Sequence, residues 1–471
     1  MSDRLSALDA SFLYLEDRTT PMHVGGVAVF RKPRAGFDYD HVLALVERRL
    51  ALVPRYRQKV RQIPGGLVRP VWVDDQDFDI TYHVRRSALP KPGNDAQLYE
   101  LAARLMSREL DRARPLWEVY LVEGLSRDRV AVITKTHQAV VDGSGAIDIG
   151  QVILDTQRNP PVPDTEDLWM ARREPSLAQL LLEAVAETVQ RPGEVVENAR
   201  AAVVDATATV EKVTRAAGGL ASAVRAAAVP PPGGPLNAAT STQRRFAVAR
   251  AKLERLRAVR RVHGAAVNDV VLAVVAGALR SWLLSRGEVV RAATTLRAMV
   301  PLSVRGDDLQ AQNRSSDDPG SRVASYLVDL PVGEGNPVVR LHQISHAMRA
   351  HSESGQSVAA EALVRVSGFA PPTLHALGAR VANAFSSRLF NVLVTNVPGP
   401  QVPLYAAGAK MVEMFPVVPL ARNQSLSIGV TSYDGGVYFG LNADRDAMSD
   451  VDVLAAMIEE SVEELMGTVH T

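Results

Sequence analysis

One histidine follows an apolar run, residues 130–136, and is itself followed by a sequence typical of a turn. The heptad is His137-Gln138-Ala139-Val140-Val141-Asp142-Gly143. Histidine can act as a general base because its pKa lies near neutral pH. An Asp-Gly turn can fix the loop that presents such a base, since glycine allows a backbone approach that a Cβ would obstruct. The heptad is therefore the first candidate for a catalytic loop.

The chain resembles the bacterial wax ester synthase/acyl-CoA:diacylglycerol acyltransferase family along nearly its whole length. The family motif is His-His-x-x-x-Asp-Gly, and the heptad matches it except that Gln138 stands at the second histidine. Five other segments carry the resemblance in the family's order. They are residues 8–12 with 21–25, 114–118 around Pro-Leu-Trp, 264–272 around Asn-Asp, 395–401, and 431–435.

The resemblance implies an α/β fold of two chloramphenicol-acetyltransferase-like sheet-and-helix domains, with the active channel between them. It implies transfer of a long-chain acyl group from acyl-CoA to diacylglycerol or to a long-chain alcohol. Acyl-CoA would be a substrate, and no cofactor is expected. By the family pattern, His137, Gln138, Asp142 and Gly143 are catalytic positions, and Asp142 is chiefly an anchor paired with an arginine.

Gln138 cannot replace a histidine base, because a neutral amide accepts no proton at neutral pH. A general base contributes roughly 10²–10⁴-fold to a rate, so three accounts stay open. His137 or another histidine acts as base while Gln138 orients the alcohol or the oxyanion. Alternatively, catalysis uses positioning and electrostatics alone, or the site is weak or inactive. His137 serves as base only if the backbone turns after it, since successive strand residues point to opposite faces. Its other interpretation is a buried histidine that holds the loop.

Four residues of the second half are candidates for substrate binding: Asn268, Asp269, Asn396 and Ser432. Asn268 and Asp269 are either an ordinary helix cap, with Asn268 as N-cap, or cleft residues at a helix N-terminus. Asn396 precedes Pro398-Gly399-Pro400, so turn chemistry also explains it. Ser432 needs a hydrogen-bond partner if it is buried, and it is either structural or a donor in the site.

The other histidines receive structural interpretations. His83 also matches a family segment, yet a structural role is the stronger expectation. His342, His346 and His351 have helical spacing, but no acidic partner of the His-Glu-x-x-His kind accompanies them. They are interpreted as a solvated helix face, and no metal site is predicted.

Composition excludes several classes of function. The 471 residues carry 53 Lys and Arg against 52 Asp and Glu, so no global charge favours nucleic acid or an anionic membrane. Aromatic residues make up only 5%, which leaves no clustered stacking platform for bases. There is no cysteine, which excludes disulfides and thiolate chemistry. No apolar run approaches the roughly 20 residues that span a bilayer, so the expected location is cytoplasmic, with peripheral contact to a membrane or lipid droplet.

Three regions are predicted from the positions of Pro and Gly and from changes in local composition. Residues 1–183 form an N-terminal acyltransferase domain, residues 184–235 a helical connector that ends in a Pro/Gly cluster, and residues 236–471 a C-terminal acyltransferase-like domain. Hydrophobic spacing predicts helices over 41–52, 97–110 and 268–284, and a capped helix over 449–466. A hairpin is predicted around Asp434-Gly435-Gly436.

The leading hypothesis is an O-acyltransferase that makes triacylglycerol or wax ester from acyl-CoA. The alternative is a catalytically impaired lipid-binding or regulatory paralogue of the same fold. A third interpretation, acyl transfer to an assembled polyketide or peptide, would require a docking site for a carrier protein.

Overall fold

A computed structural model describes residues 3–33, 37–62, 69–141, 149–160, 169–180, 234–303, 323–354 and 389–469. The strands in these residues are β1 (Asp3–Arg4), β2 (His23–Arg31), β3 (Gln58–Arg61), β4 (Val71–Asp74), β5 (Val84–Ala88), β6 (Trp117–Leu125), β7 (Arg129–His137), β8 (Arg244–Lys252), β9 (Leu296–Ser303), β10 (Val323–Leu330), β11 (Val392–Pro398), β12 (Tyr405–Ala406), β13 (Ala409–Val417), β14 (Leu426–Tyr433) and β15 (Gly436–Asp444). The helices are α1 (Ala7–Leu15), α2 (Tyr39–Leu50), α3 (Ile80–His83), α4 (Asp95–Met106), α5 (Gln138–Val141), α6 (Ile149–Val152), α7 (Leu253–His263), α8 (Val267–Ser285), α9 (Pro337–Ser354) and α10 (Val451–Gly467). The predicted connector, 184–235, lies outside the described residues except for its last two.

The first large sheet has the strand order β12-β13-β2-β7-β6-β5. Its neighbours are antiparallel except β5 and β6, which run parallel. At its centre β2 and β7 pair along their full length, with His23 opposite His137 at one end and Arg31 opposite Arg129 at the other. Separate clusters of buried apolar side chains cover its two faces. The last residue of the central strand β7 is thus the first residue of the heptad.

The second large sheet has the order β10-β9-β11-β14-β15-β8. Strand β11 runs parallel to both β9 and β14, whereas the remaining pairs are antiparallel. Helices α7, α8, α9 and α10 pack with this sheet around one continuous apolar core. A third sheet, β1-β4-β3, is small. The predicted α/β class with two sheet-and-helix halves is confirmed.

The two halves are not separate along the chain, because the first sheet includes strands from the second half. Strand β13 pairs antiparallel with β2, from Lys410 opposite Arg31 to Val417 opposite Gly25. The predicted boundary at residues 235 and 236 therefore does not separate the sheets, since residues 405–417 return to the first one. Periodicity predicts a strand but not its pairing partner, so this crossing could not be predicted from the sequence.

Local patterns predicted several elements well. Helix α2 buries Val42, Leu45, Val46 and Leu50, the four residues on which its prediction rested. The predicted hairpin is formed by β14 and β15, which pair directly. Its turn residues Asp434 and Gly435 have φ of 43° and 82°. Both values lie in the left-handed region that a two-residue hairpin turn requires.

Three expectations about helix ends were wrong. Helix α4 begins at Asp95, behind a capping box formed by Asn94 and Gln97, and it ends at Met106 instead of residue 110. Helix α10 begins at Val451 without a side-chain cap, because Asp450 accepts a hydrogen bond from Trp282 Nε1 at 3.0 Å instead. Helix α8 begins at Val267, so its N-cap is Ala266 and not Asn268. Local capping contacts decided the starts of α4 and α8, and the long-range contact with Trp282 decided the start of α10.

Helix α8 is long enough and apolar enough to cross a membrane, with 19 residues and a mean hydropathy of 1.6. The expectation that no apolar segment approaches this length was therefore wrong. Within the protein, 72% of its apolar window is buried. The helix is apolar on all sides because it lies between the second sheet and the helices α9 and α10.

Gly277 lies where α8 closely approaches α9 and α10. A Cβ at this residue would lie 2.3 Å from Ser461 Oγ and 2.7 Å from Arg340 Nη2. The Arg340 side chain is 1% exposed and is bound to Glu464 Oε2 at 2.5 Å, so it cannot move away freely. The three helices α8, α9 and α10 meet here, and a Cβ at residue 277 would require Ser461 and Arg340 to shift.

We predict that Gly277→Ala destabilises the protein by about 1–3 kcal/mol, because overpacking outweighs the gain of about 1 kcal/mol in helix propensity. The matched control is Gly467→Ala in α10, where a Cβ meets nothing within 4 Å. The control should change stability by less than about 1 kcal/mol. Urea denaturation midpoints measure both, and equal midpoints for the two variants would contradict the packing argument.

Candidate functional site

The backbone turns at the start of the heptad. Strand β7 ends at His137, and Gln138 begins the single helical turn α5. The His137 N–H donates to Leu116 O at 2.9 Å, and the Gln138 N–H donates to Met22 O at 2.9 Å. The segments before β6 and β2 thus hold the turn from both sides. Asp142 and Gly143 lie outside the described residues.

His137 is directed into the protein and is 1% exposed. Its Nδ1 accepts a hydrogen bond from the backbone N–H of Ala139 at 3.1 Å. The ring proton therefore belongs on Nε2, which lies 3.5 Å from Glu16 Oε2. With its lone pair occupied and its N–H facing a carboxylate, this ring is placed to hold the loop. It is not placed to take a proton from a substrate.

The Glu16 carboxylate is the centre of a buried polar cluster. Its Oε1 lies 3.2 Å from His23 Nε2 and accepts the backbone N–H of Met22 at 3.1 Å. Its Oε2 accepts from Arg112 Nη2 at 2.7 Å as well as facing His137. The two imidazole rings lie edge to face with centroids 6.2 Å apart. Both rings and the carboxylate are almost completely buried, at 1%, 1% and 6% exposure.

The charge states in this cluster follow from its burial and contacts. Burial alone would raise the pKa of Glu16, but His137 and His23 beside the carboxylate outweigh it and hold that pKa well below the ordinary value. Burial, aided by the charge of Lys135, lowers the pKa of His23 to about 4. At neutral pH the cluster is therefore an ionised carboxylate with His23 neutral.

Lys135 adds a second buried charge on the strand that leads to the heptad. It lies two residues before His137, on the same face of β7, and its side chain is 1% exposed. Its ammonium donates to Arg108 O at 2.5 Å and lies 3.8 Å from Glu118 Oε2. Burial lowers its pKa to about 8. The end of β7 therefore carries buried polar and charged side chains, Lys135 and His137, inside the first half.

Gln138 differs from its neighbours in accessibility. His137, Ala139 and Val140 are buried, whereas Gln138 is partly exposed. By the sequence resemblance described above, it is the position at which the motif would have its second histidine. Its accessibility means that a ligand beside the loop can reach residue 138 more readily than residue 137.

Two of the substrate-binding candidates meet in the second half. Asn396, near the end of β11, donates from Nδ2 to Asn268 Oδ1 at 3.1 Å. The buried Nδ2 of Asn268 has no hydrogen-bond partner among the described residues. This pair joins the N-terminus of α8 to the end of a central strand and leaves one amide donor unused.

The other two candidates have structural partners. The Asp269 carboxylate accepts from the Ala266 N–H and from Ser345 Oγ, both at 2.9 Å, so it closes the first turn of α8. Ser432 Oγ accepts from the Gly399 N–H at 3.3 Å and from Gln401 Nε2 at 3.0 Å. Both residues stabilise the ends of elements beside Asn268 and Asn396.

Three of the four other histidines named from the sequence lie where their structural interpretations predict, whereas His351 is partly buried, with its ring 5.8 Å from that of Tyr326. His83 is 0% exposed and stacks between Phe78 and Trp117, with centroids at 5.3 and 4.6 Å. His342 and His346 are exposed on α9. The described part of the chain contains no group of three or more side chains that could hold a metal ion.

Sequence reasoning missed Glu16, Lys135 and Arg112. His23 was noted only as part of a family segment. Glu16 follows α1 and is brought to His137 by the pairing of β2 with β7, which no local pattern reveals. A buried lysine in an otherwise apolar strand, residues 130–136, was the one signal available in the sequence.

We predict that Glu16→Gln destabilises the protein by about 3 kcal/mol, because it leaves Arg112 and two imidazoles without their carboxylate. The matched control Glu463→Gln removes an exposed ion pair with Arg255 and should change stability by less than about 1 kcal/mol. Denaturant titrations at neutral pH measure both. Because the folded-state pKa of Glu16 is lowered, its contribution exists above its ordinary value of 4.5 and is lost as pH falls below it. The difference between wild type and Glu16→Gln should therefore shrink below about pH 4.5.

Comparison with known proteins identifies the family. The family model of the wax ester synthase/diacylglycerol acyltransferase catalytic domain matches residues 5–271, and that of the WS/DGAT C-terminal domain matches residues 319–466. A probable diacylglycerol O-acyltransferase of Mycobacterium tuberculosis, tgs3, is 51% identical over 263 residues, which cover 55% of this chain and 96% of the relative. A second relative from that organism, the probable diacylglycerol O-acyltransferase tgs1, is 34% identical over 467 residues, which cover 99% of this chain and 96% of the relative.

Solved structures agree with this result. The wax ester synthase/diacylglycerol acyltransferase from Marinobacter aquaeolei VT8 matches with a TM-score of 0.68 and 28% identity, covering 99% of this chain and 100% of that one. The first condensation domain of the CDA synthetase matches with a TM-score of 0.58 and 14% identity, covering 99% of this chain and 96% of that one. This similarity shows a shared fold alone. The chain therefore belongs to the wax ester synthase/diacylglycerol acyltransferase family and is an acyltransferase of that type.

Proposed function

We propose that this protein transfers a long-chain acyl group from acyl-CoA to diacylglycerol, with long-chain alcohols as a second class of acceptor. The observation that carries the proposal is the arrangement of residues 137–141 of the heptad, with residue 138 accessible and residue 137 bound inside. The curated relatives named as diacylglycerol O-acyltransferases support diacylglycerol as the main acceptor. Acyl-CoA is a substrate here and no resident cofactor is invoked.

The transfer needs an attacking hydroxyl, a stabilised oxyanion and the exclusion of water. The acceptor oxygen attacks the thioester carbonyl carbon, the carbon–sulfur bond breaks, and the acceptor's proton ends on the CoA thiol or on water. His137 is too enclosed to take that proton, and an amide cannot take it. We therefore assign Gln138 the role of orienting the reactants by hydrogen bonds, and the rate depends on positioning and electrostatics.

The second candidate function is a lipid-binding or regulatory protein without turnover. The observation that favours it is Gln138 itself, because the residue at the base position cannot titrate. This candidate differs from the first in one measurable respect, since it binds acyl-CoA and diacylglycerol but forms no ester.

We further propose that the protein works in the cytoplasm at the surface of a membrane or lipid droplet, which holds its acceptor. Helix α7 carries Arg257, Arg260 and Arg261, all exposed and none paired with an acidic side chain in the described residues. Val262 beside them is 54% exposed, and Val397, next to Asn396, is 63% exposed. Exposed arginines with exposed apolar side chains suit an anionic lipid surface.

We predict ester formation by the purified protein from radiolabelled long-chain acyl-CoA and diacylglycerol, and an approximately 10-fold loss in Gln138→Ala. The wild-type kcat/KM should show no acid limb near pH 6.5, because residue 138 does not titrate. In Gln138→His the new base must be neutral to act, so kcat/KM should fall as pH drops below about 6.5.

The outcomes of this experiment separate the candidates. A wild-type acid limb near pH 6.5 would indicate a histidine base elsewhere and would refute the role given to Gln138. A folded wild type without turnover, together with a Gln138→His variant that gains it, would establish the binding protein. Circular dichroism of each variant serves as the folding control.

We predict that the protein sediments with vesicles of phosphatidylcholine and phosphatidylglycerol more than with phosphatidylcholine alone. Replacing Arg257, Arg260 and Arg261 by Gln should lower the partition coefficient about 100-fold, at about 1 kcal/mol per charge. Added salt should weaken the wild-type binding.

The matched control for vesicle binding replaces three exposed arginines elsewhere, Arg31, Arg48 and Arg104, by Gln. This variant has the same net charge as the α7 variant, so equal losses would show a general charge effect and would exclude α7 as the contact surface.

A further inference from the structure

Arg244 crosses from the second half of the protein to the first. It begins β8, and its side chain is 2% exposed. Its guanidinium donates to Ser241 O at 2.8 Å, to Gln243 O at 3.0 Å and to Thr19 O. Asp444 Oδ2 lies 3.7 Å away and balances the buried charge. The planar guanidinium, with its several donors, is thus fixed by its own half while one N–H reaches the other half.

The acceptor Thr19 belongs to a tightly bonded turn. Asp17 Oδ1 accepts the backbone N–H groups of Thr19 and Thr20 at 2.8 and 2.9 Å. It also accepts their hydroxyls at 2.6 and 2.9 Å. Four bonds to one oxygen hold the Thr19 carbonyl in a single orientation, so a force on Thr19 is passed to the whole turn.

This turn lies between the residues that hold the heptad. Glu16, which faces His137, precedes the turn, and Met22 follows it. The Met22 carbonyl accepts the Gln138 N–H at 2.9 Å, while the Glu16 carboxylate accepts the Met22 N–H at 3.1 Å. Displacement of the turn would therefore change the positions of both heptad residues.

We propose that Arg244 is a positioning residue for the acyl-transfer site. By binding the Thr19 carbonyl it fixes the segment from Glu16 to His23, and through that segment it sets the orientation of His137 and Gln138. The effect of Arg244 on the orientation of His137 and Gln138 does not depend on what the protein does. Its effect on turnover rests on the proposed function.

Arg250 provides a matched comparison, because it too lies on β8 and joins the two halves. Its Nε and Nη2 bind Glu413 at 2.6 and 3.1 Å, and Nη2 also binds Tyr99 Oη on α4 at 2.8 Å. None of these contacts involves the turn at residues 17–20. A loss specific to Arg244 can thus be separated from a general loosening between the halves.

The test uses the full chain labelled with ¹⁵N-histidine and long-range proton–nitrogen correlation spectra. Signals of His23 and His137 are assigned from their loss in His23→Asn and His137→Asn. We expect Arg244→Ala to shift the imidazole nitrogen signals of both residues. We expect Arg250→Ala to leave them within the linewidth of the wild type.

Asp17→Asn tests the same path from the other end, because it weakens the turn and leaves Arg244 intact. It should shift the same two sets of signals. If Arg244→Ala does not fold, Arg244→Lys is used in its place. It should shift the same signals, because a single ammonium cannot bind three carbonyls in the guanidinium geometry. Unshifted signals in a folded Arg244 variant, or equal shifts in Arg250→Ala, would overturn the proposal.

Turnover supplies a second readout where the protein is active. Arg244→Ala should lower kcat about 10-fold with KM for acyl-CoA within about twofold, because the heptad is misplaced while binding remains. An unchanged kcat alongside shifted histidine signals would show that the positioning does not matter for catalysis. Absence of turnover in every variant, wild type included, would refute the proposed function and leave the spectroscopic test decisive for Arg244.

Discussion

Burial of the Glu16 carboxylate against two imidazole rings constrains the rest of the site. A carboxylate taken out of water must be paired and hydrogen-bonded, and Glu16 meets that demand with Arg112, the Met22 N–H, His23 and His137. Arg112 lies in the loop between α4 and β6, Met22 and His23 lie at the start of β2, and His137 ends β7. One charged group therefore fixes the point where two central strands and the heptad meet, and its lowered pKa keeps it ionised.

The heptad belongs to the first half, yet its support comes from the whole chain. Strand β13 extends the first sheet from the second half, and Arg250 binds Glu413 and Tyr99 across the same boundary. Arg244 adds a bond to the turn beside Glu16. Two α/β halves joined in this way form one structure, and the catalytic and C-terminal family models match its successive parts, residues 5–271 and 319–466.

The sequence predicted the parts of the structure that depend on near neighbours. The hairpin at Asp434 and Gly435 followed from turn chemistry, and α2 followed from its apolar spacing. The N-cap of α8 was wrong because Asp269 binds the Ala266 N–H and takes the capping role that Asn268 was expected to have. Partners distant in sequence could not be predicted from periodicity, and these include Glu16 for His137, β2 for β13 and Asn396 for Asn268. The heptad marked the site, but its supporting residues emerged only from the fold.

The sequence resemblance places Gln138 where the motif has its second histidine, and the bonds around the turn are compatible with glutamine there. The bonds that hold the turn run through backbone N–H groups and through His137, and none of these requires an imidazole at residue 138. Glutamine at this position supplies no group that titrates near neutral pH, while the backbone bonds at His137 and Gln138 are in place. Because the acyl donor is a thioester, its leaving group is a thiolate of much lower basicity than the attacking alkoxide would be. Under the proposed function no general base at residue 138 contributes to the rate, and the positioning of the two reactants is the contribution that the proposal assigns to this site.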